Sequence, residues 1–401
     1  MFAHLRVIRN EEDARKEMEA IGVEEGGIKI MAPKSIHHCI KFYGLEPQDA
    51  IILKQDMLAA GGDVAISQYA IPPYGKRTDA LVIGTKTQLR ILSKKVGMQY
   101  ERLEEVGKKI SELIENTKKT HEIDIGKKLR TGKRTLIMGI LNVTPDSFYD
   151  GGKYNSVESA LERARTMVEE GADIIDVGGE SSRPGSLPVS KDEELKRVLP
   201  VIKAISDELD VPISVDTYRA EVAEEAIKAG AVMVNDITAL RGDDGMAKIV
   251  GEHGVPICLM HMKGTPQNMQ KNPHYGDVMA EIARFLYERA EYAMAEGIDE
   301  RNIILDPGIG FGKRTGEGIE DNCEIIARLA ELKSLGFPVL IGASRKTFIG
   351  NLSNTETDER MEGSLGAGAM AIANGADILR VHDVKETKRM AMVVDRIVRQ
   401  F

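Results

Sequence analysis

The chain has 401 residues, 42% of them hydrophobic, and a formal net charge of −9. That length points to two domains rather than one, and the apolar share is enough for a real core. A negative balance with no sustained basic block excludes a nucleic-acid footprint, and no apolar run reaches the roughly 18 residues that a membrane span needs.

The amino-terminal stretch, 1–122, reads as a small α/β layer followed by a helical connector. Met1–Asp13 has no signal-peptide core, and the chain is expected to be cytoplasmic. Leu5–Ile8 and Ile28–Met31 have strand character, as do Val64–Ile66 and Ala80–Ile83. Helical patterns run over Glu11–Ile21, Gln48–Ala60, Thr85–Val96 and Glu101–Lys118, with Gly61-Gly62 suited to a helix C-cap. His37-His38 is read on a helix, where neighbours point about 100° apart and do not make a metal pair. Nothing in this part carries chemistry, and an accessory or subunit-contact role is expected. Cys39, Cys258 and Cys323 stand alone, without CxxC spacing. They read as reduced core thiols, consistent with a cytoplasmic protein.

From 123 to 401 a repeating pattern appears. Short apolar runs end on polar or glycine-rich turns: Leu136–Leu141 at Asn142, Ile174–Val177 at Gly178, Pro212–Val215 at Asp216, Val232–Val234 at Asn235. The same holds for Ile257–Met260 at His261, Ile303–Leu305 at Asp306, Val339–Ile341 at Gly342 and Ile378–Leu379 at Arg380. Helical segments lie between them: Ser156–Glu170, Lys191–Glu208, Ala220–Ala229, Asp243–Glu252, Val278–Glu296, Cys323–Leu335 and Glu362–Asn374, with Lys385–Gln400 last. Strands alternating with helices imply parallel pairing with right-handed crossovers. Eight such units predict an α/β fold, a (β/α)8 TIM barrel, preceded by the small α/β domain. A doubly wound open sheet is the alternative, but it would not need a polar residue after every strand.

In a barrel those polar residues converge at the strands' carboxyl ends. Asp216, Asn235 and Asp306 form a donor-and-acceptor set suited to a flat nitrogen heterocycle, with Lys346 in reach of a ring oxygen or nitrogen. Arg183, Arg380 and His382, with Asn142 and Ser182, suit a phosphate or pyrophosphate. The hard oxygen of Asn142 suits Mg2+, which binds alongside substrate phosphates. No Cys/His cluster of zinc spacing occurs. His261 reads as a core histidine, Met260 and Met262 as packing, and Gly308–Gly312 as a turn that lets a ring approach the backbone. A heterocycle pocket beside a pyrophosphate pocket suggests transfer of a group away from pyrophosphate, driven by positioning and charge stabilisation.

The segments LNVTPDSF, GGESSRPGS, SVDT, VNDI, MHMKG, LDPGIGFGK, ASRK and RVHDV stand here in the order found in dihydropteroate synthases. The chain resembles that pterin-binding family from about Arg134 to Phe401. The resemblance implies condensation of 6-hydroxymethyl-7,8-dihydropterin diphosphate with 4-aminobenzoate, giving 7,8-dihydropteroate and pyrophosphate. It implies a pterin site at Asp216, Asn235, Asp306 and Lys346. It implies a pyrophosphate site at Asn142, Ser182, Arg183, Arg380 and His382, with Mg2+ at Asn142. A 4-aminobenzoate pocket at Phe148, Pro184 and Thr347 follows, with the acceptor carboxylate on the helix that begins after Lys346. Ser182 stands where the family commonly has Thr, and Thr347 where Ser is common; each keeps its hydroxyl. Loops after Asn142 and Gly179 are expected to order over the substrates, and a homodimer is expected. Two competing readings are a pterin-dependent methyltransferase, which would not need Arg183, Ser344-Arg345-Lys346 and Arg380 with His382 together, and a non-catalytic pterin-binding regulatory protein.

Overall fold

The computed structural model describes residues 2–117, 121–125, 128–143, 153–180, 189–316 and 318–399. The chain divides into two compact units, Met1–Lys118 and Lys119–Phe401.

In the first unit, α1 (Glu11–Ile21) and α2 (Glu25–Met31) precede β1 (His37–Leu45), α3 (Pro47–Ala59), β2 (Asp63–Ile66) and β3 (Thr78–Thr85). Helices α4 (Lys86–Val96) and α5 (Glu101–Asn116) follow. The sheet has the order β1-β3-β2, antiparallel throughout. Thr85 starts α4 through a reciprocal capping box with Gln88. Gly61, at φ +85°, terminates α3 as expected, with the Gly62 N–H reaching back to the Met57 carbonyl.

Three expectations fail in this unit. Ile28–Met31 is helix, not strand: Ile28 and Ala32 are buried against Ala14 while Ile30 and Met31 are exposed, a spacing of four rather than two. Leu5–Ile8 forms no element, and Leu5 is 95% exposed. His37 and His38 open strand β1, so their side chains leave on opposite faces. Nor do the cysteines share one environment. All three are free, but only Cys258 is buried; Cys39 is exposed and Cys323 half-buried.

The second unit begins with a hairpin, β4 (Glu122–Asp124) and β5 (Lys128–Arg130), which the sequence did not suggest. The barrel strands follow: β6 (Leu136–Asn142), β7 (Ile174–Gly178), β8 (Ile213–Asp216), β9 (Met233–Asp236), β10 (Ile257–Met260) and β11 (Ile303–Asp306). A short excursion, β12 (Thr315–Gly316) with β13 (Ile319–Glu320), precedes β14 (Leu340–Ile341) and β15 (Ile378–Val381). Neighbours run in parallel in the order β11-β10-β9-β8-β7-β6-β15-β14, and a parallel bridge from Leu305 to Val339 joins the two ends. This is a nearly closed (β/α)8 barrel.

Between the strands lie α6 (Lys153–Glu170), α7 (Lys191–Glu208), α8 (Ala220–Ala229), α9 (Met246–His253), α10 (Val278–Ala295), α11 (Asp321–Ala327) and α12 (Ala330–Lys333). Then come α13 (Thr347–Ser353), α14 (Met361–Ala373) and α15 (Val384–Arg399). The single helix expected over Cys323–Leu335 is broken into α11 and α12 around Arg328-Leu329, and α6 starts three residues before Ser156. Among the described residues no helix is long and apolar enough to cross a membrane.

Alternation along the strands sorts two cores. Ile175, Val177, Ile213, Val215, Leu259 and Leu305 face the helices. Ile174, Met233, Cys258, Ile304, Leu340 and Ile378 fill the barrel's lower end, where Ile123 in β4 and Ile125 just after it pack against them. Every second residue points inward, so the polar residues near each strand's carboxyl end share one interior.

Closure depends on the carboxy-terminal helix. Asp395 in α15, 5% exposed, accepts the Thr135 N–H at 2.7 Å and the Thr135 hydroxyl at 2.8 Å, just ahead of β6. Arg399 donates to the same carboxylate at 2.7 Å. Asp395→Ala strands two buried donors, so the barrel should lose about 2–3 kcal/mol of unfolding free energy. Urea denaturation reads this, and Asp395→Asn, which keeps an acceptor, should lose less.

Candidate active site

The upper rim of the barrel brings the acids and cations together. Asn142, Gly178, Asp216 and Asn235 stand in matched register on β6, β7, β8 and β9. Gly178 leaves a gap in this row. A Cβ there would stand 3.6 Å from Asp216 Oδ2 and 3.8 Å from Asn142 Oδ1, so the two oxygens flank the space. Among the described residues no three His, Cys, Asp or Glu side chains gather as a metal site.

Arg380, on β15, crosses the interior. Its Nε donates to Asp176 Oδ2 at 2.6 Å and its Nη2 to Asp216 Oδ2 at 2.6 Å. Asn235 Nδ2 donates to the same Asp176 oxygen at 3.1 Å. Burial pushes the Asp216 carboxyl up to about 7; Arg380 opposes the shift, and Asp176, Glu194 and Asp236 add to it. Asp306, 5% exposed at the end of β11, is pushed up to about 6 by burial, against the Gly308 N–H at 2.7 Å and the charges of Lys346 and Lys313. Lys346 caps α13, and its Nζ lies 4.2 Å from the centre of the Phe311 ring. Thr347, the next residue, is exposed at the helix start.

His382 follows β15. Its Nδ1 and the Ser344 hydroxyl are 3.0 Å apart, and its backbone N–H also meets that hydroxyl at 3.2 Å. Burial lowers its pKa to about 4, helped by Arg380 and Arg345, so at neutral pH the ring is uncharged. It is therefore not a ready cation, where the sequence reading allowed a group that is cationic or can become so. Phe148, Ser182, Arg183 and Pro184 lie outside the described residues. The ends of the segment that holds Ser182–Pro184 are described. Arg219 pairs with Glu180 at 2.8 Å on one side and donates to the Val189 carbonyl at 2.6 Å on the other.

One sequence reading changes at the strand ends and another stands. Gly308 and Gly312 do have left-handed φ values of +68° and +62°, but their missing Cβ atoms make room for protein. A Cβ at Gly308 would meet the His261 carbonyl at 2.0 Å, and one at Gly312 the Lys263 carbonyl at 2.5 Å. The close approach at these two positions is therefore between neighbouring loops. Lys313, 2% exposed, holds it by donating to the Gly308 carbonyl at 2.8 Å and the Phe311 carbonyl at 2.9 Å, with His261 Nδ1 at 3.1 Å. His261 is buried, and it stands edge-on to Phe285, as a core histidine would.

The model of the pterin binding enzymes matches residues 138–382. The chain belongs to the pterin-binding enzyme family. The dihydropteroate synthase of Bacillus subtilis is 50% identical over 263 residues, 66% of this chain and 88% of that one. The structure of the Xanthomonas albilineans dihydropteroate synthase with 4-aminobenzoic acid is 45% identical, with a TM-score of 0.65, over 70% of this chain and 98% of that one. A probable bifunctional folylpolyglutamate synthase/dihydropteroate synthase of Halobacterium salinarum is 40% identical over 386 residues, 96% of this chain and 46% of that longer protein. The match to the longer protein thus reaches well into the amino-terminal unit.

Against that family background, sequence reasoning missed Asp176 and Lys313. Asp176 was hidden inside an apolar strand, IIDVG, whose one acid was its only signal. Lys313 closes the LDPGIGFGK segment but lies past the turn that drew attention. The raised acids have a cost in stability. Asp216 and Asp306 hold their protons more tightly folded than unfolded, where a carboxyl sits near about 3.9. Their contribution is complete below about pH 4 and is lost as pH rises through 6 and 7. The ligand-free protein should therefore lose thermal stability between about pH 4 and about pH 7 from these groups. Asp216→Asn should flatten that slope in melting curves, and identical slopes would refute the assignment.

Proposed function

We propose that the chain catalyses the dihydropteroate synthase reaction of folate biosynthesis. It transfers a pterinylmethyl group from 6-hydroxymethyl-7,8-dihydropterin diphosphate to 4-aminobenzoate and releases pyrophosphate. The observation that carries this reading is the convergence of Asp216, Asn235, Asp306, Lys346 and Arg380 at one barrel mouth, in a chain half identical to the Bacillus subtilis enzyme over that region. A methyltransferase would not need the pyrophosphate set.

In this reading Asp216, Asn235 and Asp306 hold the edge of the pterin, and Lys346 its ring oxygen or nitrogen. Arg380, His382 and Asn142, with Ser182 and Arg183, hold the diphosphate. The cationic side chains stabilise negative charge as the bond from carbon to the diphosphate oxygen breaks. Asp216 steadies the ring as its methylene carbon becomes electron-poor. The amine of 4-aminobenzoate, placed by Phe148, Pro184 and Thr347, attacks that carbon and loses a proton. Mg2+, when bound beside the diphosphate, would neutralise charge on the leaving group. The fit is to the hard Oδ1 of Asn142, which with Asp216 Oδ2 flanks the side-chain-free position at Gly178 and suits an ion that keeps its waters and takes phosphate oxygens.

The free thiols support a reducing, cytoplasmic setting. Exposed Met370, Met392, Val393 and Ile397 on α14 and α15 support a homodimer through an apolar helical face. Sedimentation of the purified chain tests the latter.

Purified protein given Mg2+, the pterin diphosphate and 4-aminobenzoate should form dihydropteroate and pyrophosphate one for one. Asp216→Ala should lower kcat/KM by roughly 10²–10³-fold, and chelation of Mg2+ should depress turnover. Pterin binding without turnover in the wild type would overturn the assignment in favour of a binding protein.

A further inference from the structure

Asp176 is 0% exposed, belongs to none of the ligand sets above, and is bonded to two of their members. Its Oδ2 accepts from Arg380 Nε and from Asn235 Nδ2, while its Oδ1 has no hydrogen-bond partner among the described residues. We propose that Asp176 is a positioning residue for pterin binding: it sets which end of the Asn235 amide faces the ring, and it retains Arg380 when the ring takes Asp216. This inference rests on the pterin reading of the pocket.

The first half follows from donor and acceptor rules. The Asn235 amide turns its NH2 toward Asp176, whose Oδ2 accepts it at 3.1 Å. Its Oδ1 is then the end left for a ligand, and the pocket shows an acceptor to ring N–H and amino groups. An amide has no such preference of its own, and an uncharged partner at 176 would let it turn over.

The second half follows from the pairing of Arg380. In the ligand-free barrel Arg380 Nη2 occupies Asp216 Oδ2, the acid assigned to the ring. A pterin that donates to Asp216 must displace that N–H. The spare oxygen of Asp176 is the acceptor waiting for it: the guanidinium can move from one oxygen of Asp176 to a fork on both. The cation then remains in the barrel for the diphosphate while Asp216 is free for the heterocycle.

The test is Asp176→Asn, compared with wild type by steady-state kinetics and melting. Asn at 176 can donate to Asn235 Oδ1, and it leaves Arg380 with Asp216 as its nearer anion. The KM for the pterin diphosphate should rise by roughly tenfold or more, a conversion of about 1.4 kcal/mol, while the KM for 4-aminobenzoate changes less than about twofold. In an Asn235→Ala background the same substitution should raise the pterin KM by a smaller factor. An unchanged pterin KM, full additivity of the two substitutions, or an equal loss in both KM values would overturn the proposal. A structure of the wild-type protein with pterin bound gives a reading that does not depend on the variant folding. Arg380 forked on both Asp176 oxygens and released from Asp216 is expected, and Arg380 still on Asp216 would refute it. Absence of dihydropteroate formation by the wild type would instead refute the proposed function.

Discussion

A single guanidinium makes the barrel interior possible. Asp176 and Asp216 sit on adjacent strands, both facing inward, where a buried acid needs a hydrogen-bond donor beside it. Arg380 reaches them from β15 and bonds to each at 2.6 Å. Its partners are mutually consistent: the ion triad ties β7, β8 and β15 together, and Asp176, as the acceptor for the Asn235 amide, adds β9. Removing any one charge would leave another buried without compensation, which is far costlier than never having buried it. The pocket is thus charged and pre-formed before a ligand arrives, with its dipoles already turned.

Around the triad, cations grip backbone carbonyls where the strands end. Lys313 staples the turn after β11 to the segment after β10. Arg289 takes the carbonyls of Ala239 and Leu240, both held at positive φ, while Asp236 accepts the Thr238 and Leu240 N–H groups beneath them. Arg219 ties Glu180 to Val189 across the segment that carries Ser182 and Arg183. Each contact satisfies polar atoms that a loop at a barrel mouth would otherwise leave short of partners.

The amino-terminal unit is built differently. Its sheet is antiparallel and its core is separate from those of the barrel. Asp49, 3% exposed there, is held by Arg102 at 2.8 Å and by the Tyr100 hydroxyl, an arrangement that joins α3 to α5 rather than opening on a cleft. The similarity to the Halobacterium protein extends into this unit, whereas the Bacillus subtilis enzyme matches only 66% of the chain.

Much of the barrel could be read from the amino acids alone. Eight apolar runs ending in polar residues, spaced by helical segments, determine parallel strands, crossovers and a common mouth, because these follow from local periodicity and from the handedness of the connections. The placing of Asp216, Asn235 and Asp306 at the mouth was legible for the same reason, since each lies where a strand stops, whereas Lys346 stands past β14 at the start of α13. What the sequence could not show is who pairs with whom. Asp176 lies 204 residues from Arg380, inside an apolar run, and only the closed barrel makes them partners. The charge state of His382 was likewise out of reach, since burial sets it. So was the purpose of Gly308, which makes room for a carbonyl from the neighbouring loop. In the first unit, Ile28–Met31 misled because a four-residue apolar run fits either a strand or a helix turn, and only its packing on Ala14 decides. Periodicity is local and therefore written in the chain; electrostatic pairing and close approach are distances through space, and those existed only once the strands had closed.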